Sequence, residues 1–223
     1  MRFQFTVLTA AALLLLTTSL SFAAGTIKIG GLFSVTGPPA FLGEPERNTA
    51  KMVVDNINKA GGIKGQKLEL VYYDTAGDAT KAVQMATKLI KDDKVVAIIG
   101  PSTTGESMAV IPVVEREKVP LISCAAGSKI TDPVKRYVFK TAQNDGLAVA
   151  KIYEYLQKHR QNKIALLTVS DGFGASGREQ LKALAGKYGM QVVVDDTYGP
   201  KDTDMTSQLT KIRGSQAQVL IVW

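Results

Sequence analysis

The chain is expected to be an α/β protein with mainly parallel sheets. Short apolar runs alternate with amphipathic stretches of ten or more residues, the order produced when each strand is followed by a helix that carries the chain back to lay the next strand alongside. The segments after the apolar runs are small, polar and rich in Gly, Ser and Thr. The composition, 45% hydrophobic and 21% charged over 223 residues, is that of an ordinary globular chain.

The elements follow in order. Thr26 to Phe33 reads as a first strand. Ser34 to Gly43, with two glycines and two prolines, reads as a loop, and Pro45 suits the first turn of the next helix. Ala50, Val53, Val54, Ile57 and Ala60 recur at helical spacing until Gly61-Gly62. Leu68 to Tyr73 is the second strand. Asp78 is placed to cap a helix with Ala82, Val83, Ala86, Leu89 and Ile90 on one face. Val95 to Ile99 is a buried strand, residues 100–107 a polar loop, and Met108, Val110, Ile111, Val113 and Val114 mark a helix. Val119 to Ser123 is a strand, Cys124 to Ser128 a small-residue loop, and Tyr137 to Thr141 an extended segment. The pattern restarts near Asn144 with a helix carrying Ala148, Ile152, Tyr155 and Leu156. Lys163 to Val169 is a strand and Ser170 to Gly177 a glycine-rich loop. A helix follows through Leu181, Leu184, Ala185 and Tyr188, closed by Gly189. Met190 to Asp195 and Val219 to Val222 are strands around a helix at Asp204 to Ile212.

Residues 1–24 are set apart. Arg2, the apolar run Ala10–Leu16 continued to Leu20, and Ser21-Phe22-Ala23 have the order of a cleaved secretory signal peptide. They are too short for a comfortable membrane span, and no cysteine follows to take a lipid. An exported mature protein is expected, divided into a first unit at 25–142 and a second at 143–223. The second holds only three expected strands, so the sequence reads as a fragment of something longer.

The formal charge is +7, or +6 without Arg2, but bases are scattered among acids, so nucleic-acid binding is not expected. One cysteine, Cys124, forbids an intrachain disulfide and a cysteine metal site. One histidine, His159, leaves no other histidine for a Ser-His-Asp triad or a His-rich zinc site. No G-x-x-x-x-G-K-[ST] occurs. GFGASG, Gly172 to Gly177, matches G-x-G-x-x-G after a strand, but only Asp195 or Asp196 stands as the following acid. The near-elbow around Ser176 lacks its last glycine. Asp92/Asp93 and Asp195/Asp196 read as surface caps at element ends. No catalytic residue, cofactor or metal is expected.

Binding remains. In parallel α/β sheets ligands sit beyond the strands' carboxyl ends. There the helix after Ile99 offers free amides, with hydroxyls from Ser102, Thr103, Thr104 and Ser107, a setting that favours a carboxylate. The same hydroxyls also suit mere helix capping. Phe33, Phe41, Leu42 and Phe173 supply apolar surface, as a pocket for a small molecule needs.

The runs GGLFSVTGPPAFLG, VVDNINKAGGIKGQKLELVYYD and VVAIIGPSTTGESMAVIPVVEREKVPLIS resemble the branched-chain amino-acid (Leu/Ile/Val) periplasmic binding proteins of ABC transporters, over Thr26 to Trp223. The resemblance implies a type I periplasmic binding fold: two Rossmann-like parallel-sheet lobes joined by a hinge and closing on the ligand, the second lobe incomplete here. It implies a monomer that captures an amino acid and hands it to permease subunits in the membrane, with no nucleic-acid partner. Thr104 falls on the family's hydroxyl position, Ala125 on a backbone-carbonyl position, and Gly127 on a position that binds through its N–H and usually a hydroxyl. Phe173 falls on a covering aromatic, often Tyr, and Leu42, beside Phe41, near an aromatic that lines the ligand's side chain. The missing hydroxyls at Gly127 and Phe173 tilt the pocket towards less polar ligands, with an aromatic or aliphatic carboxylate or an amide as the alternative. An exported ligand-sensing module is the rival without a transporter, and an exported enzyme using Ser102, Ser107 or Ser176 the rival with chemistry.

Overall fold

In the computed structural model, residues 25–223 are described; the expected signal peptide lies outside them. Among these described residues, eight strands form two separate parallel sheets. The first has the order β2-β1-β3-β4-β5, from β1 (Ile27–Phe33), β2 (Leu68–Asp74), β3 (Ala97–Ile99), β4 (Leu121–Ser123) and β5 (Val138–Lys140). The second has the order β7-β6-β8, from β6 (Lys163–Val169), β7 (Gln191–Tyr198) and β8 (Val219–Val222). The α-helices among the described residues are α1 (Ala40–Lys59), α2 (Ala79–Lys91), α3 (Thr104–Glu117), α4 (Asp145–Lys158), α5 (Gly172–Ala185) and α6 (Thr206–Arg213). Residues 141–144 link β5 to α4 and so join the two lobes.

Right-handed crossovers put α1 on one face of the first sheet and α2 with α3 on the other. The pair α2–α3 covers the main core, where Leu32, Ala86, Leu89, Ile98, Val110, Val114 and Leu121 are fully buried. Each of the Leu, Ile and Val side chains contributes on the order of 1.5–3 kcal/mol by leaving water. In the second lobe β6 is the central strand. Its Ile164 and Leu166 pack with Val149, Tyr153 and Leu156 of α4 and Leu181 of α5, and the buried Tyr153 hydroxyl donates to the Leu181 carbonyl at 2.7 Å.

Four local readings are corrected. Helix α1 begins at Ala40, so Phe41, Leu42 and Gly43 are helical and Pro45 lies inside the helix beyond its first turn. Gly43 explains the early start: a Cβ there would overlap the Ser34 backbone, so this turn is packed directly over the end of β1. The glycine-rich segment 172–177 is not a loop but the start of α5. Asp171 caps it, accepting from the Phe173 and Gly174 amides at 2.9 Å. A Cβ at Gly174 would fall on the Val169 carbonyl and one at Gly177 on the Trp223 indole, so these glycines serve close helix–strand packing. In α4 the buried apolar positions are Val149, Tyr153 and Leu156, with Tyr155 exposed, a stripe displaced from Ala148 and Ile152. Asp195 and Asp196 lie within β7, not at an end. Asp195 pairs with Arg178 at 2.6 Å and Lys182 at 2.8 Å, and Asp196 with Lys211 at 3.0 Å. Burial works to raise the Asp195 carboxyl, but those two cations outweigh it and hold its pKa below the usual value.

Candidate functional site

The β3–α3 turn and the β4–β5 connection meet at the carboxyl edge of the first sheet. Gly100 turns the chain there with φ of 93°, and a Cβ on it would overlap the Leu32 carbonyl. Thr103 then caps α3. Its hydroxyl accepts from the Glu106 amide while the Glu106 carboxylate returns to the Thr103 amide at 3.2 Å, a complete capping box. This capping leaves Thr104 as the first helical residue, 4% exposed.

Thr104, Ala125 and Gly127 are brought together. The Thr104 Oγ1 accepts from the Gly127 amide at 3.3 Å. A Cβ on Gly127 would overlap the Thr104 methyl, so the two residues are fitted to one another. Ala125 is held by its amide, which donates to Ser123 Oγ at 3.1 Å, and Ser123 is bonded in turn to Ser107 Oγ at 2.7 Å. Lys140 reaches under the same loop and donates to the Ala126 carbonyl at 2.6 Å and the Gly127 carbonyl at 3.4 Å. Burial lowers the Lys140 pKa, partly offset by the Asp145 carboxylate. Because Thr104 Oγ1 accepts from Gly127, its own proton is oriented elsewhere and the hydroxyl is polarised as a donor.

Ser102 and Thr103 are employed differently from the expectation that they face a ligand. Ser102 Oγ accepts from the Ser34 amide at 3.1 Å and donates to Glu46 at 2.5 Å. The Ser34 hydroxyl donates to Glu106 at 3.0 Å, and Thr103 Oγ1 to the same carboxylate at 2.6 Å. Glu106 is 1% exposed; these donors and the start of α3 offset its buried charge. Where the strand order reverses, between β1 and β3, these groups are thus bonded to one another. Burial raises the pKa of Glu46, the Ser102 hydroxyl opposes it, and the nearby Glu106 charge raises it further. Phe41 is 75% exposed on the first turn of α1, with Leu42 beside it at 38%.

The second lobe meets the first across this edge. A Cβ on Gly172 would lie 2.8 Å from the Gly105 amide nitrogen, so the first turns of α3 and α5 touch through bare backbone. Phe173, the next residue, stacks on Trp223 at 5.7 Å between centroids and 27° between planes. Beside them the Ser128 amide donates to Ser176 Oγ at 3.0 Å and to Asp145 Oδ2 at 3.3 Å, and Ser176 donates to the same Asp145 oxygen. Nothing local in the sequence marks Asp145 as part of this site; its buried place at the head of α4 comes only from the meeting of the lobes. The Ser176–Asp145 pair has no imidazole between its members, for His159 sits on an exposed helix end with Nδ1 against the Tyr155 carbonyl at 2.8 Å. Cys124, its thiol pushed up to about 12 by burial and by Glu46, is held as the neutral thiol at pH 7. The arrangement can hold and orient a small polar group.

Comparison with known proteins agrees with this architecture. The sequence pattern of the family described as "Periplasmic binding protein" matches residues 26–223. The Leu/Ile/Val-binding protein homolog 3 of Brucella melitensis is 31% identical over 90% of this chain and 55% of its own length. The branched-chain amino acid transporter substrate binding protein LivJ of Streptococcus pneumoniae, solved with isoleucine, superposes with a TM-score of 0.76 at 32% identity, over 88% of this chain and 56% of that one. A solute binding protein of an ABC transporter from Rhodopseudomonas palustris BisB5, solved with 3,4-dihydroxy benzoic acid, superposes with a TM-score of 0.78 at 26% identity, over 89% and 54%. The chain thus spans about half the length of the relatives it matches. With two parallel α/β lobes meeting over a polar edge, and a family match across residues 26–223, the chain belongs to the periplasmic binding proteins, with the type I fold.

Proposed function

We propose that the chain captures a small carboxylate-bearing ligand, a branched-chain or other amino acid, as part of an extracytoplasmic solute-binding protein that delivers it to the permease subunits of an ABC transporter. Residues 1–24 act as the export signal, and the protein works in the periplasm as a monomer. The observation that carries the reading is the Thr104–Gly127 pair: a hydroxyl whose acceptor side is taken by an amide, and whose proton is free to meet an oxyanion at the start of α3. Ala125 and Gly127 contribute backbone groups beside it. Phe173 covers the apolar part from the second lobe. The hinge at residues 141–144 lets the ligand draw the lobes together by contacts it makes only in the shut arrangement. The function is binding and release, with no bond broken.

A second reading has its own support. Phe173 and Trp223 form a stacked aromatic surface, and position 127 has no hydroxyl to meet an amino acid's polar head. Both favour an aromatic carboxylate, the class to which the ligand of the BisB5 protein belongs. A thermal-shift screen of the full chain against the twenty amino acids and a panel of benzoates separates the two, since a ligand at a hundred times its Kd stabilises by about 2.7 kcal/mol. Failure of every carboxylate to raise the melting temperature would refute both.

A further inference from the structure

We propose that the two lobes carry a latch of their own, made by Asp145 and Ser176 on the second lobe gripping the backbone amide of Ser128 on the first, and seated by the glycine contact between Gly105 and Gly172. Each of these contacts has protein atoms on both sides, so each favours the shut arrangement independently of anything bound in the cleft. Asp145 is 2% exposed and Ser176 8%. Opening the seam exchanges these bonds for bonds to water, so each is worth only the net of that exchange, enough to bias a two-state equilibrium without locking it. An ion pair at the rim, Lys129 with Glu179 at 2.5 Å, has both partners at least half exposed and adds little. The glycine contact sets the geometry. With only a hydrogen at position 172, where a Cβ would fall 2.8 Å from the Gly105 nitrogen, the two helix starts approach closely, and Ser176, one turn along α5, reaches Ser128. Ser128 follows Gly127 directly, so the latch acts on the loop that carries the proposed ligand amide. By holding a fraction of molecules shut in advance, it tunes ligand affinity and residence without touching the ligand.

The test reads the distance between lobes with no ligand added, so its result is independent of which ligand the cleft takes. Spin labels at Lys59→Cys and Lys187→Cys, in a Cys124→Ser background of the full chain, report that distance by pulsed electron paramagnetic resonance. The expected result is a substantial short-distance population. Ser176→Ala is expected to lower the shut-to-open ratio roughly threefold to tenfold, the worth of one buried hydrogen bond, and Asp145→Asn is expected to lower it as well. Gly172→Ala leaves every hydrogen-bonding group in place and wedges the seam at the Gly105 amide, and it should move the ratio the same way even if the Asp145 variant does not fold. A distribution at the long distance alone in the parent protein, or one unchanged in Ser176→Ala and Gly172→Ala, would overturn the proposal.

Discussion

The fit between Thr104 and Gly127 makes a quantitative prediction. A methyl added at position 127 overlaps the Thr104 Cγ2, while Thr104 Oγ1 and Cβ lie 3.1 and 3.3 Å from it. The backbone does not forbid the change, since Gly127 has φ of −50° and ψ of 128°, a conformation open to any residue. Gly127→Ala should therefore cost about 1–3 kcal/mol through overpacking alone. Thr104→Ser removes the offending methyl and keeps the hydroxyl that accepts from residue 127, at a cost of about 1 kcal/mol for the lost burial and the small void. In the double variant the new methyl occupies the space the old one leaves. It should be more stable than the sum of the single changes by about 1–2 kcal/mol, a coupling expected only of residues in contact. Urea unfolding of the four proteins measures it, and thermal melts should show about 2–4 °C for each kcal/mol. Additivity within about 0.5 kcal/mol would mean that the two side chains do not share this space.

Further outcomes follow from other contacts. Thr104→Ala should weaken binding of the carboxylate identified by the screen by about 1–3 kcal/mol, five- to a hundredfold; calorimetry showing unchanged affinity would remove Thr104 from the site. Gly174→Ala places a Cβ on the Val169 carbonyl and should cost at least about 3 kcal/mol or block folding, read by expression and melting temperature. For Glu46, burial and the Glu106 charge raise the folded pKa above 4.5, so the folded state binds this proton more tightly than the unfolded one. The resulting stabilisation is full below the unfolded pKa and is lost as pH rises through the folded value; Glu46→Gln should flatten the stability–pH curve in that window, and an unchanged curve would refute the assignment. Lys140→Met removes the donor to the Ala126 and Gly127 carbonyls, and hydrogen exchange should then quicken in residues 124–128.

Much of the fold was legible because periodicity reports burial directly. Leu89 and Val114 fall on apolar stripes, and Ile98 in an apolar run; all three are core residues. The type I architecture was carried by the resemblance of long sequence runs. What stayed illegible depended on partners far along the chain. Ser102 shows a hydroxyl, but its acceptor is Glu46, 56 residues away, and nothing local says that the group turns inward. Tyr153 lies deeper in the core than Ile152, which packs at its margin, and the buried Tyr153 hydroxyl is satisfied by the Leu181 carbonyl, 28 residues away. The run GFGASG suggested a loop because glycine favours loops; here Val169 and Trp223 demand glycine for room, which a single sequence cannot distinguish.

That run has a mechanical consequence. Helix α5 opens with glycines at positions 172, 174 and 177, each about 1 kcal/mol poorer than alanine at holding a helix, so its first two turns owe their order to docking on β6, Trp223 and the opposite lobe. When the lobes part, one of those supports goes, and the segment bearing Phe173 is the first that should fray. Under the proposed function, opening of the cleft would then involve local melting of this turn as well as rigid swinging, and a ligand that restores the seam would also refold the wall that encloses it.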